Sequence, residues 1–506
     1  MYPKIAILGM AVIAIAIGLF KLHGVSDGLR ITRTVVDDTP VTIFQTESAA
    51  KRPVIIIAHG FAGSQQLMQP FADTLARNGY IAVTFDFFGH GRNRVPMHGD
   101  ITEGNAITAA LLDELGKVAA YARTLPDGDG RLAVLGHSMA SDIVVRFAQA
   151  NADVQATIAV SVFSPVVTAT SPRNLLVIVG SLEPTMLRNE GVRIVNLVAS
   201  GNAKAGETYG SFADGTARRL ELARGVEHIG VLYSRDSMEQ SLRWMNQAFD
   251  RQTTTGSIDS RGSWLALLFA GIVALAWPLS ALLPVASETP SGTNLSWKPL
   301  LIAAILPAFL TPLILWKLPT DFLPILLGDY LTLHFLVYGA ITLALLLYLR
   351  GRPDRSRTET SWRAVAIAAM AVAAYNIVAF GLPIDTYVFS FLPVSPRVPL
   401  IVAVACGTVP YFVVDEWLTR GSEAKRGAYT LTKLCFLLSL AIAVALNLMK
   451  LFFLIIIVPA ILLQFLTFGL ISRWSYMATH HPLPGALGSA VVFAWAIAVT
   501  FPMITR

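Results

Sequence analysis

From Trp264 onward the chain is a succession of apolar stretches separated by short polar ones, at 264–284, 299–317, 330–350, 363–382, 397–418, 428–447, 451–471 and 485–503. Each is long enough to cross a hydrocarbon layer of about 30 Å. Inside lipid a chain must satisfy its backbone hydrogen bonds within itself, so spans of this kind fold as helices. Residues 264–506 are therefore expected to form an all-α polytopic membrane domain of about eight transmembrane helices. A further stretch at 5–20, IAILGMAVIAIAIGLF, follows Lys4 and leads into Lys21-Leu22-His23. No small-residue cleavage pattern follows it, so residues 1–27 read as an uncleaved N-terminal transmembrane signal anchor. Only 14% of the 506 residues are charged and 54% are hydrophobic, against about 25% charged in ordinary soluble proteins. That balance excludes a purely soluble enzyme and a disordered chain.

Between these apolar parts lies a segment of different character. Short runs rich in β-branched residues at 54–58, 81–85, 131–135, 156–162 and 174–179 alternate with helical patterns at about 64–78, 102–124, 138–150 and 236–250. Such alternation predicts a parallel sheet covered on both faces. The runs VIIIA (54–58) and NLLVIV (174–179) are apolar throughout, as burial on both faces requires. Residues 29–36 and 40–46 predict an antiparallel edge hairpin, and 218–224 a last strand. The expected class is thus an α/β domain over 28–250, a polar linker at 251–263 (RQTTTGSIDSRGS), and the membrane domain.

Net charge is +6. In a membrane protein, Lys and Arg mark the loops that stay in the cytoplasm. No basic strip interleaved with aromatics is present, so nucleic acid is not an expected partner. Two short loops carry the strongest basic signal: Arg350, Arg352, Arg355, Arg357 and Arg363 in one, Arg420, Lys425 and Arg426 in the other. Counting spans back from them leaves the α/β domain on the extracytoplasmic side of a bacterial-type plasma or inner membrane. Lys21, Arg30, Arg33, Arg251 and Arg261 flank the domain and argue the other way. Cys406 and Cys435 both lie in apolar runs and are expected to be buried small residues. Asp329, His334, Asp385, Asp415 and Glu416 sit at span starts or ends, and Lys433, Asn376, Asn447 and Gln464 lie further in; most fall within a turn or two of a boundary, where snorkelling or helix-end pairing is expected. The Pro-broken segments 319–328 and 383–396 are expected as loops, interfacial pieces or re-entrant turns.

The segment RLAVLGHSMASDIVVRFA (131–148) runs from a strand through Gly136-His137-Ser138-Met139-Ala140 into a helix. It resembles the nucleophile elbow of the α/β-hydrolase superfamily, Gly-x-Ser-x-Gly, with Ala140 in place of the last glycine. VIIIAHGFAGS (54–64) resembles the oxyanion-loop strand, and FDFFGHGRN (85–93) the segment after the next strand, in the same superfamily. By this resemblance Ser138 is the nucleophile, and the backbone N–H groups of Phe61 and Met139 form the oxyanion hole. His59 and His90 are then loop-fixing residues. The superfamily's chain order is nucleophile, acid, histidine. His228, in GVEHIGVL, is the one histidine downstream of Ser138 within the α/β domain, and the resemblance makes it the base. LLVIVGSLEPTML (175–187) supplies Glu183 as the acid, with Asp214 as the alternative.

Only about 12 residues, 163–174, separate the strand at 156–162 from the strand at 174–179. That leaves no room for a large lid and gives a compact core similar to dienelactone hydrolases and small carboxylesterases. No metal spacing, P-loop or dinucleotide glycine pattern is present, so no cofactor and no metal are expected. The reading is a membrane-anchored serine hydrolase that cleaves ester or related acyl bonds. Its substrate would be a small-molecule or lipid acyl ester, with membrane lipid as its surroundings. A transporter or scaffold with a non-catalytic hydrolase-like domain, or an acyltransferase using the same acyl-enzyme, are the alternatives. The membrane half is expected to lie near or over the active site through 319–328 or 383–396, in place of a lid.

Overall fold

In the computed structural model, residues 2–98, 104–252, 256–350 and 359–505 are described. They divide into two compact units. One comprises Ile17–Ala266, Ile384–Ser390 and Pro502–Arg506; the other comprises Met1–Ala16, Leu267–Pro383 and Phe391–Phe501.

The first unit is built on β1 (Leu29–Val36), β2 (Thr39–Thr46), β3 (Arg52–Ala58), β4 (Ile81–Phe85), β5 (Gly128–His137), β6 (Val154–Val160), β7 (Leu175–Gly180), β8 (Thr208–Tyr209) and β9 (Arg218–Ala223). They form one sheet in the order β1-β2-β4-β3-β5-β6-β7-β9-β8. From β4 to β9 the neighbours are parallel; β1 and β2 form the antiparallel hairpin at one edge, and the short β8 closes the other. β3 is buried along its whole length. Its alternate residues feed different cores, as the two-residue period of a strand demands. Ile55 and Ile57 pack with Phe71, Leu75 and Trp244 on one face. Val54 and Ile56 pack with Leu115, Val118 and Val144 on the other. The α/β-hydrolase-type fold expected from the sequence is the one observed.

The register positions the site. Ala58 pairs with Gly136, His137 with Val160, Val160 with Ile178, and Gly180 with Ala223. The residues that follow β3, β5, β6, β7 and β9 therefore emerge along one carboxyl edge. β3 leads to β4 on one side and, after the helix Gly104–Arg123, to β5 on the other. The crevice outside such a reversal is where open α/β sheets bind ligands.

The helices are α1 (Tyr2–His23), α2 (Gln69–Arg77), α3 (Gly104–Arg123), α4 (Met139–Ala150), α5 (Thr185–Ala199) and α6 (Arg235–Ala248). The single helix expected at 64–78 is a 3-10 turn, Gln65–Met68, followed by α2. Pro70 lies in the first turn of α2, where its missing N–H costs nothing. The start of the helix expected at 102–124 lies outside the described residues, and α5 was not anticipated.

Nine helices among the described residues are long and apolar enough to cross a membrane: Pro3–Ser26, then Arg261–Leu282, Trp297–Leu315, Gly328–Leu349, Trp362–Tyr387, Ser395–Thr419, Ala428–Leu446, Leu454–Thr479 and Leu483–Thr500. In the second unit small residues permit close crossings, as is common between membrane helices. A Cβ on Gly339 would stand 2.8 Å from Tyr411 Cα, and one on Gly407 2.2 Å from Thr332 O. Of the two arrangements expected for the charges in the spans, snorkelling or helix-end pairing, the structure shows pairing. Lys433 and Asp415 are both buried and paired with each other, and Arg420 Nε donates to Glu416 at 2.7 Å. A buried charge without a partner costs several kcal/mol, so paired groups turn inward together (about 3–5 kcal/mol when one partner is removed). Cys435 is buried as expected, but Cys406 is exposed, because the outer face of an apolar span is as apolar as its inner face. Arg352, Arg355 and Arg357 of the basic loop lie outside the described residues.

Candidate active site

β5 ends in a turn that only a glycine can open. A Cβ on Gly136 would stand 2.3 Å from Ala140 O. Ser138 follows with φ 53° and ψ −118°, a conformation that side-chain-bearing residues rarely adopt. The surroundings hold it there: Ser138 N donates to Val160 O at 2.8 Å, and Ser138 O accepts from Ser141 N at 2.9 Å. The turn lifts the Ser138 hydroxyl off the sheet at the N-terminus of α4.

His228 meets that hydroxyl. Its Nε2 lies 2.9 Å from Ser138 Oγ, and its Nδ1 lies 2.7 Å from Glu183 Oε2. A carboxylate only accepts, so the ring proton sits on Nδ1 and the Nε2 lone pair faces the serine. Glu183 is itself held on its other oxygen. Oε1 accepts from Gly180 N and from Ser161 Oγ, both at 2.7 Å. The loops after β7 and β9 are laced together, with Leu182 N donating to Val226 O at 3.0 Å and Gly225 N to Ser181 Oγ at 2.8 Å. The structure thus brings Ser138, His228 and Glu183 into one chain of hydrogen bonds. Asp214 is exposed in the turn before β9, and the carboxylate on His228 is that of Glu183.

The loop after β3 lies directly against the serine. A Cβ on Gly60 would stand 2.9 Å from His137 O and 3.0 Å from Ser138 Cβ. Gly63 N donates to Gly60 O at 3.1 Å, closing a tight turn around Phe61 and Ala62 (φ 56°). His59 Nε2 accepts from Phe87 N at 3.1 Å, which leaves Nδ1 to donate to Gly60 O at 2.8 Å. Burial holds the His59 imidazole below its ordinary range, so it stays a neutral brace. His90 Nδ1 contacts Phe88 O at 2.8 Å in the neighbouring loop. Phe61 and Met139 sit half-buried, one in the tight turn and one as the first residue of α4.

Two polar residues at the site escaped sequence reading. Ser161 follows β6 with φ 56° and donates to Glu183. His137, the middle residue of Gly136-His137-Ser138, donates from Nε2 to His228 O at 3.0 Å. Burial, reinforced by the neighbouring His228 ring, pushes His137 well below its ordinary pKa. The sequence places Ser161 inside the strand expected at 156–162; the observed β6 ends at Val160, and only the fold shows Ser161 leaving that end to meet Glu183.

Beneath the loop after β4, Glu114 accepts from Thr39 Oγ1 at 2.8 Å, Asn93 Nδ2 at 3.1 Å and Phe88 N at 2.8 Å. Burial outweighs these donors and raises its carboxyl to about 8. A raised folded-state pKa gives stability that is complete below the ordinary value of 4.5 and is lost as pH climbs towards about 8. Thermal melts of the intact protein are expected to decline over that window. Glu114→Gln, which cannot ionise, should flatten the decline; an unchanged slope would refute the assignment.

Among the described residues no group of three or more His, Cys, Asp or Glu side chains converges as a metal site. These features define a serine-hydrolase-like α/β-hydrolase fold joined to a helical region with several long apolar helices. Residues 49–202 match the family described as serine aminopeptidase, S33, which supports a hydrolase. No curated protein matches the chain. Similar solved structures include a Klebsiella pneumoniae protein assigned as a dienelactone hydrolase, at 16% identity and TM-score 0.33, covering 45% of this chain and 100% of that one. A CIB-like hydrolase assigned in Thermoplasma acidophilum has 19% identity and TM-score 0.32, over 44% of this chain and 99% of that one. A membrane phospholipase A described as a bacterial virulence factor has 13% identity and TM-score 0.33, over 47% and 93%.

Proposed function

We propose that the chain is a membrane-anchored serine hydrolase cleaving ester or related acyl bonds. The observation that carries this reading is the hydrogen-bond chain Ser138 Oγ–His228–Glu183 Oε2, with its proton on Nδ1. In the proposed cycle His228 Nε2 takes the serine proton as Oγ attacks the acyl carbonyl. Negative charge develops on the carbonyl oxygen and is met by the N–H groups of Phe61 and Met139. Glu183 stabilises the imidazolium without taking its proton. His228 then protonates the leaving group, and water attacks the acyl-enzyme with His228 again as base.

An apolar acyl group suits the rim. Phe163, Leu182 and Ile229 are large apolar residues exposed on the loops after β6, β7 and β9, close in sequence to Ser161, Glu183 and His228, and Met186 is exposed in the first turn of α5. Exposed apolar residues grouped beside a reactive site favour contact with an apolar ligand or with lipid. The experiment is a fluorophosphonate probe on the full-length protein, with a panel of short and long acyl esters. The proposal requires labelling of Ser138 and ester turnover; absence of both would overturn it.

The proposed orientation is extracytoplasmic for the α/β domain. If the nine candidate spans among the described residues alternate, the connections after the first, fifth and ninth fall on one side, and those after the fourth and sixth on the other. The latter loops carry the basic clusters. Two of the opposing charges are neutralised locally: Arg30 pairs with Asp127 at 2.5 Å, and Arg261 is buried against Asp73 and Asp259. In a background lacking Cys406 and Cys435, Ser260→Cys should react with a membrane-impermeant thiol reagent on intact cells and Ser422→Cys should not. The reverse pattern would invert the topology.

A further inference from the structure

The loop that carries Phe61 is anchored by residues remote in sequence. We infer that Asp385 and Ser390, which lie where one apolar span ends and before the next begins, are positioning residues of the oxyanion loop. The inference rests on the proposed reading that Phe61 N–H receives the developing oxyanion.

Ile384–Ser390 belongs to the same compact unit as the α/β domain. In sequence it overlaps the end of the apolar helix Trp362–Tyr387 and precedes Ser395–Thr419. Ser390 N donates to Ser64 Oγ at 3.0 Å, and Ser390 Oγ donates to Gln66 Oε1 at 3.0 Å. Gln66 Nε2 returns a bond to Asp385 O at 3.3 Å. Asp385 Oδ2 takes Arg92 Nη2 at 2.7 Å. Arg92 N in turn donates to Asp86 Oδ2 at 3.1 Å, and Asp86 Oδ1 accepts Gln65 N at 2.8 Å. The bonds close a ring through residues 385, 92, 86, 65, 66 and back to 385. Ser64, Gln66, Asp385 and Ser390 are all buried, so water is a poor substitute for any member.

A second remote segment braces the adjoining loop. Met97 N donates to Met503 O at 2.8 Å, Met503 N to Gly89 O at 2.9 Å, and Thr505 N to Met97 O at 3.0 Å. A Cβ on Gly89 would stand 2.3 Å from Met503 O, so the glycine admits that segment. The braced loop reaches the oxyanion loop through Phe87 N and His59 Nε2, 3.1 Å apart. An oxyanion donor works only when held within a fraction of an ångström of where charge develops. The turn Gly60–Gly63 is fixed from upstream by His59. Its downstream anchor, Ser64–Gln66, is held at Gln65 by Asp86 and at Ser64 and Gln66 by the remote segment.

The test uses the full-length protein in detergent, with Ser390→Ala, Asp385→Asn and the double variant. Each is assayed for kcat and KM on a short ester, for inhibition by an alkylboronic acid, for the pH midpoint of kcat/KM, and for melting temperature. A misplaced oxyanion donor predicts a fall in kcat of about 10- to 100-fold, with KM within about twofold. Boronate affinity should fall in step, since its tetrahedral adduct presents the same oxyanion. The pH midpoint should stay put, because His228 and Glu183 are untouched. Ser390→Thr, which restores the hydroxyl, should recover most of the loss. Wild-type kcat and boronate affinity in the folded double variant would overturn the inference while leaving the hydrolase reading intact. So would a rise in KM without loss of boronate binding. If the double variant does not fold, the same criteria apply to Ser390→Ala alone. Failure of the wild-type protein to label at Ser138 would overturn the hydrolase reading and this inference with it.

Discussion

Ser138→Ala is expected to abolish acyl-enzyme formation and to lower kcat/KM by about 10⁴- to 10⁶-fold, without loss of fold. Removing the hydroxyl takes away the proposed nucleophile and leaves no buried polar group stranded, because among the described residues Ser138 Oγ bonds to the half-buried His228 ring alone. The backbone of the turn is held by Ser138 N and O, which alanine retains. Melting temperature should therefore move by no more than a few degrees, the usual range for a change that touches neither core nor cap. His228→Ala should be about as severe in rate, since nucleophile and base act as a unit. Fluorophosphonate labelling and turnover of a short ester, measured on the same detergent preparation, read both effects. Wild-type turnover in Ser138→Ala would move the nucleophile elsewhere.

Glu183→Gln is expected to cost about 10³- to 10⁴-fold in kcat, and the reason lies in the tautomer. Gly180 N and Ser161 Oγ both donate to Oε1, so the amide oxygen of the glutamine must settle there. Its NH₂ group then faces His228 Nδ1, a donor facing a position that must donate. The imidazole escapes the clash by carrying its proton on Nε2, where it can no longer accept the proton of Ser138. Ser161→Ala should act in the same direction but less strongly, by freeing one of the two bonds that orient the carboxylate. Asp214→Asn should stay within about twofold of wild type, the effect expected of an exposed turn residue far from the reacting groups. A large loss in Asp214→Asn together with full activity in Glu183→Gln would transfer the acid role.

The choice between Glu183 and Asp214 shows how far the sequence reading reaches. Both carry a carboxylate; Glu183 follows the strand expected at 174–179, while Asp214 sits in a polar, Gly-flanked loop. What separates them is the pairing of Gly180 with Ala223, which lays the loop after β7 against the loop after β9 and leaves the turn at Asp214 behind the strand. Register is set by packing across the sheet, and no local spacing encodes it. Ser161 and His137 were overlooked for the same reason. Their residue types are ordinary and their roles exist only beside Glu183 and the His228 carbonyl. The brace at Asp385 and Ser390 joins residues some 300 positions apart in the chain (319 for Gln66 and Asp385). The sequence marks 383–396 only as a Pro-broken segment expected near the active site, and the partners of Asp385 and Ser390 within it are visible only in the fold.

By itself the sequence determined the apolar helices, the alternation of buried strands with helices, and the strand-turn-helix around Ser138. These are local matters: side-chain period, propensity and a glycine where a Cβ would strike Ala140 O. The same locality explains why helix ends moved by a few residues and why the types of the elements held. Tertiary structure alone decided which carboxylate meets His228, that Lys433 and Asp415 are buried against each other, and that Cys406 faces outward. It also decided that Ile384–Ser390 and Pro502–Arg506 belong with the α/β domain. Each of those outcomes turns on a buried polar group finding a partner, or on an apolar face finding apolar surroundings. The free energy of either depends on what arrives from elsewhere in the chain, and neighbouring residues carry no record of that.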